Sequence, residues 1–150
     1  MNLYHRDIRQ YIGKRSMIRV KAAVVALNES GEILLLKRQG KDVWGLPIGK
    51  LKPGESMEDA AARELWEESG LTADAMRLID LISGPQYMKK YRNGDEEYYV
   101  IGVYSASGLR SAIDLPPESD VSLRYFNLDL LPPMDSVTGP LMDIINRQIR

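Results

Sequence analysis

The chain has 150 residues, of which 44% are hydrophobic, and a formal net charge of −1. It contains no cysteine, which excludes disulfides, thiolate catalysis and cysteine-ligated zinc. Its near-neutral charge gives no bulk attraction to nucleic acid, and the absence of a run of about 18 apolar residues argues against a membrane span.

The length is close to that of a typical domain and predicts a single domain over residues 1–150. Residues 1–20 lack the charged and then apolar pattern of a secretory leader, so we expect a cytoplasmic protein. An amphipathic helix is predicted from Leu3 to Ile12, within an N-terminal extension of residues 1–16. This extension is suited to cover a sheet edge or a partner subunit, which leaves a homodimer open.

Two apolar runs, Ile18 to Leu27 and Glu32 to Arg38, predict strands on either side of a turn at residues 28–31. Such uninterrupted runs are typical of strands that are covered on both faces.

The next segment is a loop. Gly49 lacks a side chain, so its backbone can approach a metal ion or a phosphate closely. Pro53 and Gly54 then predict a turn that brings Glu55 beside the start of the following helix.

A helix is predicted from Ser56 to Ser69. Ser56 is a favourable N-cap, the first turn is acidic, and Gly70 suits the left-handed position after the last turn. Strong helix formers fill the interior.

Three carboxylates project from one side of this helix, because Glu64 precedes Glu67 by three residues and Glu68 by four. Like charges at this spacing destabilise a helix, and its dipole disfavours anions in the last turn. One interpretation is a solvated acidic face. The other is a site for Mg²⁺ or Mn²⁺, since these hard cations prefer carboxylate oxygens. Arg63 precedes Glu67 by four residues and can orient a carboxylate.

The remaining elements are strands and a final helix. Asn93 and Gly94 mark a hairpin between two of the strands. Strands alternating with helices indicate an α/β protein with a sheet covered by helices. The predicted strands are Arg77 to Ile82, Gln86 to Tyr91, Glu97 to Ser105 and Val121 to Leu128, and the helix is Val137 to Ile149.

The segment from Gly49 to Leu71 resembles the Nudix box in every fixed position: the first glycine, Glu55, and the run from Arg63 through Glu64, Glu67, Glu68 and Gly70. The resemblance implies an α/β/α sandwich with a mixed β-sheet. It also predicts a short strand from Trp44 to Pro47 that leads into the box. It also implies a divalent-metal-dependent hydrolase that cleaves the diphosphate linkage of a nucleoside diphosphate derivative, with Mg²⁺ or Mn²⁺ as cofactor.

The resemblance assigns roles to the box residues. Glu64, Glu67 and Glu68 would hold the metal, together with the carbonyl oxygen of Gly49. Glu68, Glu67 and Arg63 would be catalytic, whereas Glu55, Gly54 and Gly70 would have structural roles in the box. One departure is Ile48, which stands where the family commonly has a second glycine.

The general base has several candidates. Glu68 is one, and a carboxylate from outside the box is the alternative, with Glu96, Glu97 and Glu118 in segments expected to be loops. For each of these three, an ordinary surface residue is the favoured interpretation.

Four residues are predicted to bind substrate. Lys50 and Lys52 flank the box loop and are placed to contact phosphate oxygens, although a solubilising role is the alternative. Trp44 and Tyr87 are suited to stack on a base. Within the resemblance, Pro85 and Tyr87 match family patterns for both ADP-ribose and dinucleoside polyphosphates, so the substrate class stays broad: ADP-ribose, dinucleoside polyphosphate, nucleotide sugar or nucleoside triphosphate.

Two alternatives remain. A non-catalytic nucleotide sensor on the same fold is expected to lose box carboxylates, and none is lost here. An RNA 5′-pyrophosphohydrolase would favour a basic groove, for which the short segment of residues 89–92, Lys-Lys-Tyr-Arg, is the hint.

Overall fold

A computed structural model describes residues 16–112 and 120–149 of the chain. The predicted N-terminal helix lies outside the described residues, as does Glu118. The elements, in chain order, are β1 (Ser16–Ala26), β2 (Ile33–Arg38), β3 (Ile48–Lys50), α1 (Met57–Ser69), β4 (Leu71–Ile82), β5 (Met88–Lys90), β6 (Glu96–Ser111), β7 (Val121–Phe126) and α2 (Thr138–Ile149).

The larger sheet is mixed, in the order β3-β1-β6-β4. β1 and β6 are parallel along the full length of β1, from the pair Ser16 and Glu96 to the pair Ala26 and Ala106. β3 pairs antiparallel with β1, and both β4 and β5 pair antiparallel with β6. β2 and β7 form a separate antiparallel pair.

The sheet lies between the two helices, as expected for an α/β/α sandwich. Successive residues of β1 point to opposite faces, and both faces are completely buried from Ala22 to Ala26. On one face Ala23 and Val25 belong to a core cluster with residues of α2; on the other, Ala22 and Val24 belong to a cluster with residues of α1. The helix residues in these clusters are Leu141, Met142 and Ile145 of α2, and Ala60, Ala61 and Leu65 of α1.

The structure corrects two predicted strands. Residues 44–47 do not form a strand but make isolated bridges, Gly45 with Leu36 and Trp44 with Met134, and the strand is the following segment, β3. β4 begins at Leu71 instead of Arg77. Its first residues pair with the end of β6, which itself extends to Ser111, and this pairing outweighs the mixed polarity of residues 71–76.

The predicted hairpin between β5 and β6 is confirmed. The Gly94 N–H donates to the Tyr91 carbonyl oxygen at 3.0 Å, and the Tyr91 N–H donates to the Asp95 carbonyl oxygen at 2.8 Å. Gly94 has φ of 91°, a conformation that favours glycine. The hairpin brings Met88 and Lys89 of β5 to a cavity that is also lined by residues 135–137, at the start of α2.

Candidate active site

The helix that carries the acidic residues begins and ends as predicted. The Ser56 side chain accepts a hydrogen bond from the Asp59 N–H at 3.1 Å, which caps the N-terminus of α1. Gly70 adopts the left-handed conformation, with φ of 73°, and its N–H donates to the Trp66 carbonyl oxygen at 2.8 Å. Both ends of α1 are therefore set by local contacts.

Arg63 joins the loop to the helix. Its guanidinium donates to both carboxylate oxygens of Glu55, at 2.7 and 2.9 Å, and to the Lys50 carbonyl oxygen at 3.0 Å. It also donates to Glu64 at 2.7 Å and reaches Glu67 at 3.4 Å. The hydrogen bond from Arg63 holds the pKa of Glu55 below its usual range. Arg63 therefore fixes the loop relative to α1 and orients the carboxylate of Glu64.

Glu64 is buried, with 7% of its surface exposed, and its carboxylate lies against the backbone of Gly49. A β-carbon at position 49 would overlap this carboxylate, so the close approach requires glycine. Burial raises the pKa of Glu64 despite its bond to Arg63, and the charges of Glu67 and Glu68 raise it further. The three carboxylates thus act on one another, as their spacing predicts.

Glu68 makes a contact that the sequence did not single out. Its carboxylate accepts a hydrogen bond from Arg38 at the end of β2, at 2.6 Å. The Glu68 side chain is 13% exposed, whereas that of Glu67 is 42% exposed.

A cavity of about 490 Å³ adjoins this contact, because Arg38 also lines it. Its wall comes from five strands, the segment between β2 and β3, the hairpin residue Tyr91 and the residues before α2. It is rich in cations, and the one carboxylate among its described lining residues is Asp135. The charged lining residues are Lys21, Arg38, Lys41, Lys50, Lys89 and Asp135.

Asp135 was missed by sequence reasoning. Its carboxylate accepts hydrogen bonds from the N–H groups of Val137, at 3.2 Å, and Thr138, at 2.7 Å, and so caps α2. It also lies against Gly45, where a β-carbon would overlap it. The signal available was an aspartate just before a helix, which is interpretable as a cap but says nothing about a cavity.

The structure does not bring every predicted substrate residue to this cavity. Tyr87 is 1% exposed and belongs to the hydrophobic core, and Trp44 packs edge-on against Phe126 with ring centroids 4.9 Å apart. Lys52 is exposed in the turn before α1 and lies outside the cavity lining. Of the four, Lys50 lines the cavity.

Glu97, a candidate base, lies in β6 and is completely buried. It accepts hydrogen bonds from Arg19 and Tyr91. Burial alone would raise its pKa, but these two hydrogen bonds outweigh burial and hold the pKa below the usual range. These contacts hold Glu97 within the sheet, and its assignment as a candidate base stays a prediction.

The candidate ligands at α1 are chemically suited to a hard divalent cation. All the candidate donors are oxygens, and the burial and mutual repulsion that raise the pKa of Glu64 are the conditions that a cation relieves. Within the described ranges, however, no three acidic or histidine side chains are arranged to hold a metal as they stand. Glu64 contacts Arg63 and Glu68 contacts Arg38, each through its Oε1 atom, so the two arginines compete with a cation for these carboxylate oxygens.

Comparison with known proteins places the chain in a family. A family model described as the NUDIX domain matches residues 17–143. A putative 8-oxo-dGTP diphosphatase of Bacillus subtilis (strain 168) is 41% identical over 81 residues, which are 54% of this chain and 50% of that protein. An RNA pyrophosphohydrolase of Actinobacillus pleuropneumoniae is 38% identical over 74 residues, 49% of this chain and 34% of the relative. The chain thus matches half or less of the length of these curated relatives.

Solved structures show the same fold. A MutT NUDIX hydrolase from Burkholderia pseudomallei superposes with a TM-score of 0.68 and 29% identity, over 89% of this chain and 98% of that one. A MutT structure studied in Aliivibrio salmonicida and Vibrio cholerae gives a TM-score of 0.66 at 19% identity, over 88% of this chain and 99% of that one.

Proposed function

The chain belongs to the NUDIX domain family, and we propose that it is a divalent-metal-dependent hydrolase that cleaves the diphosphate linkage of a nucleoside diphosphate derivative by attack of water on phosphorus. The observation that carries the proposal is the contact between Glu68 and Arg38. It joins the acidic face of α1 to a cation-lined cavity, so that a phosphate chain entering the cavity passes beside the carboxylates.

In this proposal Glu64, Glu67 and Glu68 hold Mg²⁺ or Mn²⁺, with the carbonyl oxygen of Gly49 beside Glu64. When bound, such an ion neutralises the diphosphate charge and acidifies water. Arg63 keeps Glu64 in place through its bonds to the loop.

Glu68 is suited to the role of general base. It is partly shielded from solvent, and it contacts Arg38, which lines the cavity. Arg38, once it has released Glu68, is free to donate to a phosphate oxygen, because a guanidinium matches a phosphate as well as a carboxylate. Lys50 lines the cavity beside the loop and adds a second cation for the substrate.

The relatives extend the range of substrates to be tested. One is named for 8-oxo-dGTP and several for RNA pyrophosphate removal. A modified deoxynucleoside triphosphate therefore joins ADP-ribose, dinucleoside polyphosphates, nucleotide sugars and nucleoside triphosphates as a candidate. A 5′-triphosphorylated RNA stays the alternative substrate. A non-catalytic sensor remains the alternative from another class.

The test is phosphate release, after phosphatase coupling, from this panel with Mg²⁺, with Mn²⁺ and with chelator. Glu68→Gln removes the carboxylate charge while keeping the size of the side chain. Glu58→Gln is the matched control, since Glu58 is exposed in the first turn of the same helix. Metal-dependent turnover that is lost in Glu68→Gln and kept in Glu58→Gln supports the hydrolase. Tight nucleotide binding with no turnover on any substrate would favour the sensor.

No helix in the described part of the chain is long and apolar enough to cross a membrane. The single domain over residues 1–150, the cytoplasmic location and the homodimer stay predictions.

A further inference from the structure

One end of the cavity is formed by lysines from three different strands. Lys21 of β1, Lys50 of β3 and Lys89 of β5 all line it. Lys21 and Lys50 are direct partners in the antiparallel pairing of β1 with β3. Like charges directly opposite each other destabilise a sheet, so this arrangement costs stability unless a ligand offsets it.

The aromatic rings at this end do not offer a free stacking surface. The Nζ of Lys21 lies 3.9 Å from the centroid of the Tyr99 ring, and the Nζ of Lys89 lies 4.9 Å from that of Tyr91. Tyr99 is also only 4% exposed. This end of the cavity therefore presents ammonium groups, which suit an anion better than a base.

Protein carboxylates do not compensate these lysines. Within residues 16–112 and 120–149, no carboxylate lies within ion-pair distance of Lys21, Lys50 or Lys89. Glu97 attracts Lys21 and Lys50, but it already accepts hydrogen bonds from Arg19 and Tyr91.

Arg19 adds to the positive charge. It is 1% exposed, and its charge repels those of Lys21 and Lys50. Its Nε and Nη2 atoms are buried without a hydrogen-bond partner in the described part of the chain. The region thus holds more positive charge than its own acids neutralise.

We propose that the lysine cluster, defined as Lys21, Lys50 and Lys89, binds a phosphate group of the substrate that is not part of the cleaved linkage. The inference rests on the proposed function and narrows it. The favoured substrate is a nucleotide with at least one phosphate beyond the diphosphate that is cut, such as a nucleoside triphosphate. A substrate that carries an uncharged sugar at this position, such as ADP-ribose, leaves the lysines without a counter-charge and is disfavoured.

The first experiment measures binding without catalysis. Inorganic tripolyphosphate is titrated into the protein by calorimetry in the presence of chelator. Lys21→Met and Lys89→Met each remove one ammonium group, and Lys90→Met is the matched control, because Lys90 is the next residue of β5 and is outside the cavity lining. Lys89 is exposed, so its replacement tests the cluster even if Lys21→Met perturbs folding.

We expect Lys21→Met and Lys89→Met each to weaken tripolyphosphate binding by about tenfold, the loss of one charge-assisted hydrogen bond, and Lys90→Met to change it by less than about twofold. Equal losses in Lys89→Met and Lys90→Met would overturn the inference, because binding would then depend on overall charge. Absence of tripolyphosphate binding to the unaltered protein would also overturn it.

The second experiment separates the inference from the proposed function. KM and kcat are compared for a nucleoside triphosphate and for ADP-ribose in the same variants. A rise in KM confined to the triphosphate supports the cluster, and equal effects on both substrates oppose it. Triphosphorylated RNA is run alongside to show whether the extra phosphate belongs to a free nucleotide or to an RNA end. If no substrate turns over but tripolyphosphate binding depends on Lys21 and Lys89, the hydrolase proposal fails and the anion site stands.

Discussion

The carboxylate of Glu64 occupies the space that a side chain at Gly49 would fill. One residue belongs to a three-residue edge strand and the other to the middle of α1, so their contact fixes how the helix lies against the sheet. The requirement for glycine here is steric, since Gly49 does not adopt a positive φ.

Gly49→Ala should therefore displace Glu64. We expect unfolding free energy to fall by about 1–3 kcal/mol, the usual cost of overpacking, and turnover to fall with it. Gly139→Ala is the control, because a β-carbon at Gly139 in α2 meets no atom within 4 Å. Urea unfolding and kcat measured on both variants test this. A Gly49→Ala protein as stable and active as Gly139→Ala would contradict the role assigned to the contact.

Arg63→Lys keeps the charge but not the planar donor geometry. Because Arg63 donates to both oxygens of Glu55 as well as to Glu64 and the Lys50 carbonyl oxygen, we expect a loss of about 1–3 kcal/mol in stability and a lower kcat. Arg110→Lys provides the comparison, since Arg110 pairs with Asp74 on the surface, where both side chains are more than half exposed, and should cost almost nothing. Equal effects of the two changes would show that Arg63 contributes only its charge.

Lys21 should make stability depend on pH in an alkaline window. Burial, and then the neighbouring charge of Lys50, lowers its pKa from 10.5 to about 8. Between these values the unfolded chain binds more protons than the folded one, so stability rises with pH there. Below pH 8 Lys21 is charged in both states, and holding that charge in the folded protein lowers the free energy of unfolding by an amount on the order of 3 kcal/mol.

Urea unfolding from about pH 7 to about pH 10 tests this, with the wild-type protein compared with Lys21→Met. Wild type should gain stability relative to the variant as pH rises. A constant difference between the two curves would show that Lys21 titrates normally.

The buried pair of Arg19 and Glu97 allows a double-mutant cycle. Both side chains are 1% exposed, so removal of one partner leaves an uncompensated buried charge. We expect Arg19→Met and Glu97→Leu each to cost about 3–5 kcal/mol, and the double variant to cost less than the sum. Chemical unfolding of the four proteins measures the coupling; strict additivity would show that the two groups do not depend on each other.

The sequence predicted the acidic helix well because its determinants are local. The Ser56 cap, the Gly70 end and the shared side of the three glutamates depend on spacings of three or four residues. The contact of Arg63 with Glu67 was also predicted. At 3.4 Å it is the longest of the Arg63 contacts. The stronger bonds to Glu55 depend on the loop conformation.

The cavity was not predictable in the same way. Lys21, Arg38, Lys50, Lys89 and Asp135 are far apart in sequence and meet through strand order and register, which hydrophobic patterns do not reveal. Tyr87 was predicted to bind substrate because its aromatic ring can stack on a base. The same apolar ring is also suited to burial in the core, where the structure places it. The sequence alone does not show which face of the sheet an aromatic residue occupies, because that depends on the register of the strand.

The parallel pairing of β1 with β6 also determines when the larger sheet can fold during synthesis. Each pair of this ladder joins residues far apart in sequence, from Ser16 with Glu96 to Ala26 with Ala106. Contacts of this kind form slowly because a long loop must close first. While the ribosome is still adding β4 and β5, the apolar strand β1 lacks its parallel neighbour and exposes a surface that chaperones bind and that aggregates readily. The larger sheet therefore completes late in synthesis, after β6 has emerged.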